Sequence, residues 1–293
     1  MTRGFDLVIV GAQKSGTTSL HRYLCQHPRV VGHDSTEFAF FASNDEFERG
    51  WEHALVHYFG RVDPAPSDHR LVAKSANIYS SDVFVDRLME FSPRARVVLL
   101  LRDPVQRAFS AHQMEAAKSG PREPFEHLRE VGSDPQHPWT KRFLGLGLYA
   151  DALERIERRV PAEKFDVFFF EEFVTDPDPV CQHLFTSLGL EPHRARFEVH
   201  NGASAPRSAA VARVLATLRD PNSRVKQAAE RALSPAHFNR LAQTAVHLNQ
   251  GRPSHAEMSA EMEAWLAAYY EEPNRRLSAR LGRPLPEWTR PGL

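Results

Sequence analysis

Short apolar runs, rich in β-branched or aromatic residues, recur at positions 7–10, 30–32, 71–73, 95–101 and 165–170. Those at 7–10 and 165–170 have the composition of buried strands, 95–101 is the clearest strand, 71–73 is a candidate strand and 30–32 a short extended piece. Between them apolar residues fall three or four apart, the spacing of one helix face. Residues 17–27 place Leu20, Tyr23 and Leu24 together and stop before Pro28. Further helices are predicted over 47–59, 82–91 (stopped by Ser92-Pro93), from Val105 onward, 148–160 and 179–188, with a loop beginning at Glu171-Glu172. Residues 121–139 mix proline, glycine and charge, and read as a mobile connection around one short helix, 125–131. Strand alternating with helix predicts an α/β fold, a central parallel sheet covered on both faces. From Ala209 strands cease and helical patterns remain at 213–218, 225–233, 238–248 and 258–281. The expectation is a single domain over 1–293, an α/β core over 1–200 followed by a helical part over 201–293.

The first strand runs into Gly11-Ala12-Gln13-Lys14-Ser15-Gly16-Thr17-Thr18, a glycine-bounded loop before a helix. Backbone N–H groups and the positive end of a helix dipole converge above such a loop and make an anion socket. The spacing Gly11-x4-Gly16 matches the first half of the nucleotide-binding pattern G-x-x-x-x-G-K-[ST], but Thr17 stands where its lysine belongs. That lysine reaches the β- and γ-phosphates, so its absence argues against an ATPase or GTPase and favours a shorter, 5′-diphosphate-like ligand. Lys14 would then lie beside the bridging oxygen, where leaving-group charge grows. An ordinary strand-to-helix turn explains the same residues.

Other polar positions sit where strands end. Glu37 precedes Phe38, Phe40 and Phe41, rings expected to strip part of its solvation and sharpen it as a proton acceptor. A helix N-cap, with Ser35 or Thr36 capping, accounts for the segment as well. Lys74-Ser75 follows one strand and Arg102 another, at the sheet edge where open parallel sheets bind ligands. Arg102 and Ser110, two turns into the next helix, could meet on one anion, while Arg107 could pair with Asp103 to fix the turn. His53 and His57 have a metal-clamp spacing without a third ligand nearby, so a solvent-facing helix is the reading and no metal is expected.

Lys+Arg and Asp+Glu balance at 37 each, leaving no net field to draw the chain to nucleic acid or anionic membrane. No apolar run approaches the roughly 20 residues of a membrane span. The N-terminus enters the first strand directly, with no room for a signal peptide, and Cys25 and Cys181 read as reduced core thiols. A cytoplasmic location is expected, as monomer or homodimer.

Together these segments resemble the sulfotransferase family that uses 3′-phosphoadenosine 5′-phosphosulfate (PAPS). Gln13-Lys14-Ser15-Gly16-Thr17-Thr18-Ser19-Leu20 is similar to its 5′-phosphosulfate loop, and Leu101-Arg102-Asp103-Pro104-Val105-Gln106-Arg107-Ala108-Phe109-Ser110 to its 3′-phosphate segment. Glu37-Phe38-Ala39-Phe40-Phe41 resembles the Glu-x-x-Phe-Phe of the heparan-sulfate-like branch, and Lys74-Ser75 its Lys-Ser/Thr-Pro pair, with Ala76 in place of proline. The stretch 277–288 is similar to the usual bacterial ending. The family's Lys-Gly-Arg clamp is not present as such; residues 201–208 occupy its place, with Arg207 as the nucleotide contact.

The resemblance implies a P-loop-like fold, with 1–200 binding the nucleotide and 201–293 forming an acceptor lid. It implies an O-sulfotransferase in which Glu37 is the base and Lys14 and Lys74 steady developing charge. Lys14, Ser15, Gly16, Thr17 and Thr18 would hold the 5′ end of PAPS, and Arg102, Ser110 and Arg207 the 3′ end. The acceptor is expected to be a small hydroxylated molecule, walled by His33, Lys74, His112, Trp139 and Phe143. The competing readings are a P-loop nucleotide kinase and a non-catalytic nucleotide-binding protein of the same fold.

Overall fold

The computed structural model describes residues 4–60, 66, 68–119, 123–197, 204–206, 250–253 and 257–288. Five parallel strands form one sheet: β1 (Leu7–Gly11), β2 (Val30–Gly32), β3 (Arg70–Lys74), β4 (Arg96–Leu101) and β5 (Phe165–Phe169), in the order β2-β3-β1-β4-β5. The chain builds leftward from β1 to β2 and β3, then crosses to β4 and β5. The ends of β3, β1 and β4 therefore lie side by side at the switch in strand order, where ligands of open α/β sheets bind.

Alternation along the strands splits the core. Val8, Val10, Leu71, Ala73, Val97, Leu99 and Leu101 face one layer with Phe38, Phe40, Phe41 and Trp51, all buried. Leu7, Ile9, Val72, Val98 and Leu100 face the other, with Leu20 and Leu24 of α1 (Thr17–Leu24) and Leu184 and Phe185. This is the two-period of a pleated strand covered on both sides.

Helix α1 stops at Leu24, before the predicted end. The single helix predicted over 47–59 is two, α2 (Asn44–Glu48) and α3 (Trp51–Phe59), because Gly50 turns the chain at φ 90. Helices α4 (Asp82–Phe91), α5 (Pro104–Ser119), α6 (Leu128–Val131) and α7 (Tyr149–Glu157) follow. The loop predicted at Glu171-Glu172 is helix α8 (Phe170–Thr175): Phe173 is buried, and that anchors the turn. After α9 (Asp178–Ser187), a two-stranded antiparallel pair, β6 (Ser204–Pro206) and β7 (Gln250–Pro253), precedes α10 (Ala260–Leu281), so strand structure does not cease at Ala209 as expected. The helical patterns at 213–218, 225–233 and 238–248 lie outside the described residues.

Helices α5 and α10 share a third cluster through Val105, Ala108, Ala111, Met262, Leu266 and Tyr270. Among the described residues no helix is long and apolar enough to cross a membrane, and no group of three acidic, histidine or cysteine side chains is placed to hold a metal ion.

Candidate active site

The β1–α1 loop packs tightly. Gly16, the N-cap of α1, sits at φ 79, and a Cβ there would press on the Phe170 and Phe173 rings at 3.1–3.3 Å. Only glycine meets both demands. Lys14 also takes a left-handed φ of 71, the kind of strain that loops retain where backbone must face a ligand. No side chain caps α1, so the orphan N–H groups of its first turn have no capping side chain. The Ser15 hydroxyl is buried without a hydrogen-bond partner.

Two strands away from β3, the Arg102 side chain leaves the tip of β4 and returns to this loop. Its Nη1 donates to the Lys14 carbonyl at 3.0 Å, and its guanidinium lies 4.7 Å from the Phe170 ring centre. Burial lowers the Arg102 pKa from its usual value. Asp103 caps α5 through Val105 N–H (2.9 Å), and its own N–H donates to Glu171 Oε1 (3.0 Å). Ser110 is half-buried on α5.

Arg107 departs from the expected pairing with Asp103. Its side chain is wholly buried, and Nη2 donates to the Phe143 carbonyl in a π-helical turn, Thr140–Leu144. Tyr270 of α10 donates to the Leu144 carbonyl of the same turn at 2.8 Å.

Glu37 and Lys74, 37 positions apart in sequence, form an ion pair at the end of β3. Lys74 Nζ donates to Glu37 Oε1 at 2.7 Å and to Thr18 Oγ1 at 3.1 Å. The Ala76 N–H donates to Glu37 Oε2 at 2.8 Å. Lys74 is 1% exposed and the Glu37 side chain 42%. Burial pulls the Lys74 pKa down, opposed by the neighbouring carboxylate.

The phenylalanines do not desolvate Glu37 as expected. Phe38, Phe40 and Phe41 turn into the core and anchor the segment, while the carboxylate faces the sheet edge and is held by Lys74 and the Ala76 amide. Nor is Glu37 at a helix N-cap: the following 3-10 turn begins at Phe40, with Ala39 before it.

Of the expected acceptor-wall residues, His112, Trp139 and Phe143 meet in one aromatic cluster with ring centres 5.1–5.7 Å apart. His33 does not join them. It is buried under the Glu37 loop with both ring nitrogens bonded, Nε2 to the Lys74 N–H (3.0 Å) and Nδ1 to the Ser35 carbonyl (2.9 Å). Arg207 lies outside the described residues. Sequence reasoning missed Phe170, whose ring backs both Gly16 and Arg102; its place at the end of β5, beside β4, was the available signal. It missed the Lys74–Thr18 contact too, which depends on β3 lying next to β1.

The arrangement therefore joins an uncapped helix N-terminus and two cations on one side to a partly exposed carboxylate on the other, through Lys74. Such a site can hold an anionic group while a proton leaves a neighbouring atom.

Residues 6–194 match the model of the sulfotransferase family. The mouse bifunctional heparan sulfate N-deacetylase/N-sulfotransferase 3 is 25% identical over 307 aligned positions, 98% of this chain and 31% of its own length. The chain thus spans about a third of that relative. The membrane-associated sulfotransferase kil1 of Dictyostelium discoideum is 32% identical over 136 positions, 44% of this chain and 28% of its own. A crystal structure of a sulfotransferase from Alicyclobacillus acidocaldarius has the same fold, with a TM-score of 0.63 at 22% identity over 96% of this chain and 97% of that one.

Proposed function

The chain belongs to the sulfotransferase family, and from that premise we propose that it moves a sulfuryl group from PAPS to a hydroxyl of a small-molecule acceptor, such as a natural product or glycoside. The observation that carries the reading is the joining of three strand ends: Arg102 bonds the Lys14 carbonyl (3.0 Å), and Lys74 bridges Thr18 (3.1 Å) to Glu37 (2.7 Å). The residues fit an adenosine bisphosphate-type ligand. The N–H groups of the uncapped α1, the partnerless Ser15 hydroxyl, Lys14, Thr17 and Thr18 suit the 5′ end. Arg102 and Ser110 suit the 3′ phosphate, Arg supplying a planar fork.

PAPS supplies sulfur already activated on a 5′-phosphate. Glu37 takes the proton of the acceptor hydroxyl as the new O–S bond forms. The S–O bond to the 5′-phosphate breaks, leaving a sulfate ester and adenosine 3′,5′-bisphosphate. Two Glu37 lone-pair positions are spent on Lys74 and Ala76, and an ionised carboxylate has about four, so capacity for a proton remains on an exposed group. Lys14 neutralises charge on the departing oxygen, and Lys74 does so on the sulfuryl oxygens or acceptor. His112, Trp139 and Phe143 supply the acceptor wall.

Purified protein given PAPS and a panel of alcohols should release adenosine 3′,5′-bisphosphate. Glu37→Gln should bind that nucleotide normally while turnover falls about 10²–10³-fold, the usual loss for one such group. Equal loss of binding and turnover would make Glu37 structural. Because the mouse relative is named for N-sulfation of heparan sulfate, an amine-bearing glycan belongs in the panel, and exclusive sulfation of it would replace the small-molecule reading. Calorimetry with ATP–Mg²⁺ separates the kinase alternative, which needs a lysine where Thr17 stands.

A further inference from the structure

The edge of the sheet beside the Glu37–Lys74 pair is built in an unusual way. Strand β2 pairs with β3 as far as Gly32 opposite Val72, and the chain then turns away while β3 runs on to Lys74. In a continuing parallel ladder the Lys74 N–H would meet a carbonyl of the neighbouring strand. It donates instead to His33 Nε2 at 3.0 Å. Five residues later the chain returns, and Phe38 N–H donates to the Lys74 carbonyl at 2.8 Å. Both backbone groups of Lys74 are thus taken by the ends of the loop whose Glu37 holds its side chain.

These bonds assign the histidine's tautomer. A backbone N–H can only donate, so Nε2 carries no proton. The neutral ring then bears its proton on Nδ1, which donates to the Ser35 carbonyl at 2.9 Å. The Ser35 hydroxyl in turn donates to the Glu37 carbonyl at 2.8 Å. The His21 ring stacks on His33 with centres 4.4 Å apart, and Phe38 and Phe59 close round it at 6.1 Å.

We infer that His33 is a positioning residue for the transfer reaction: its Nδ1-protonated imidazole stands in for a missing strand and holds the Glu37 loop on the tip of β3, in register with Lys74 and Ala76. This rests on reading Glu37 and Lys74 as the reacting pair. His33 itself touches no reactant.

The test uses the full chain with PAPS and para-nitrophenol as acceptor, comparing His33→Ala, His33→Gln, Glu37→Gln and the double variant His33→Ala/Glu37→Gln. Glutamine can return an acceptor to the Lys74 N–H, so it should recover at least about tenfold of what alanine loses. His33→Ala should lower kcat about 10²-fold, the scale of a 1 Å misplacement, with adenosine 3′,5′-bisphosphate affinity within about twofold. Acting through Glu37, it should cost nothing further in the Glu37→Gln background. On the wild-type protein, ring-nitrogen NMR should find the His33 proton on Nδ1 and Nε2 bare. Losses that multiply in the double variant, or a proton on Nε2, would overturn the inference. Undiminished turnover in Glu37→Gln would instead overturn the reading of the pair, and the tautomer would still decide the histidine's bonding.

Discussion

Replacing Glu37 by glutamine and Lys74 by methionine, singly and together, separates the stability of the pair from its chemistry. The Lys74 side chain is 1% exposed, and in Glu37→Gln it keeps hydrogen-bond acceptors, Thr18 among them, but no opposite charge. Two unit charges 4 Å apart at an effective dielectric of 20 attract by about 4 kcal/mol. With 42% of the Glu37 side chain in water, the coupling should shrink to about 1.5–3 kcal/mol, the range of a charged hydrogen bond. Glu37→Gln should lose that much, because a neutral amide leaves the charge of a buried cation uncompensated. Lys74→Met should cost less, because its apolar chain fills the channel and Glu37 is left to solvent and the Ala76 amide. The double variant should recover most of the stability that Glu37→Gln loses. Urea unfolding measures all four proteins, and bisphosphate release measures turnover, which should stay about 10²–10³-fold down in every variant. Unfolding free energies that add within about 0.5 kcal/mol would refute the coupling, and full turnover in Lys74→Met would refute its role.

Arg102→Lys keeps the charge but loses the fork that reaches the Lys14 carbonyl; calorimetry should show adenosine 3′,5′-bisphosphate binding about 10–100-fold weaker, and unchanged affinity would remove Arg102 from the nucleotide site. His33 is held to a pKa of about 4 against 6.5, by burial and then by Lys74. The unfolded chain therefore binds the extra proton first. Stability should be unaffected above pH 7 and fall between about 6.5 and 4, by up to about 3 kcal/mol from this ring. The neighbouring buried His21 pulls the same way. Urea melts of wild type against His33→Gln across that range should show the variant with the shallower decline, and parallel curves would contradict the assignment. Gly11→Ala would drive a Cβ into the Tyr79 ring, with Cε1 at 2.7 Å; thermal unfolding should register about 1–3 kcal/mol of overpacking, and a wild-type melt would mean that the ring yields.

Strands β1, β3 and β4 and the loop after β1 were legible because burial on both faces leaves an apolar run that needs no partner to be recognised. Their tips carry Lys14, Lys74 and Arg102, so those candidates were legible as well. What could not be read was adjacency. That Glu37 meets Lys74 depends on β2 lying beside β3, and that Arg102 reaches back to Lys14 on β4 flanking β1, facts of strand order with no local trace. The break at Gly50 was hidden by a helical pattern that continues in register across it. For Glu37 the expected environment was half right: aromatic neighbours in sequence anchor its backbone, whereas groups distant in sequence hold its carboxylate. His33, an isolated histidine in the sequence, acquired its bonds only when β2 stopped short.

Lys74 ends β3 and Arg102 follows β4, with β1 and its Lys14 loop between them, so the hydrogen-bonded sheet fixes the spacing of the backbones that carry them. Strand spacing of about 4.8 Å sets a ruler of about 10 Å from the outer tip to the other, and any molecule lying across it is measured by backbone geometry. The aromatic cluster of His112, Trp139 and Phe143 hangs instead from helices and a π-turn off the sheet. Substitution can reshape that cluster without moving the strand tips, because the two are held by different elements of the fold.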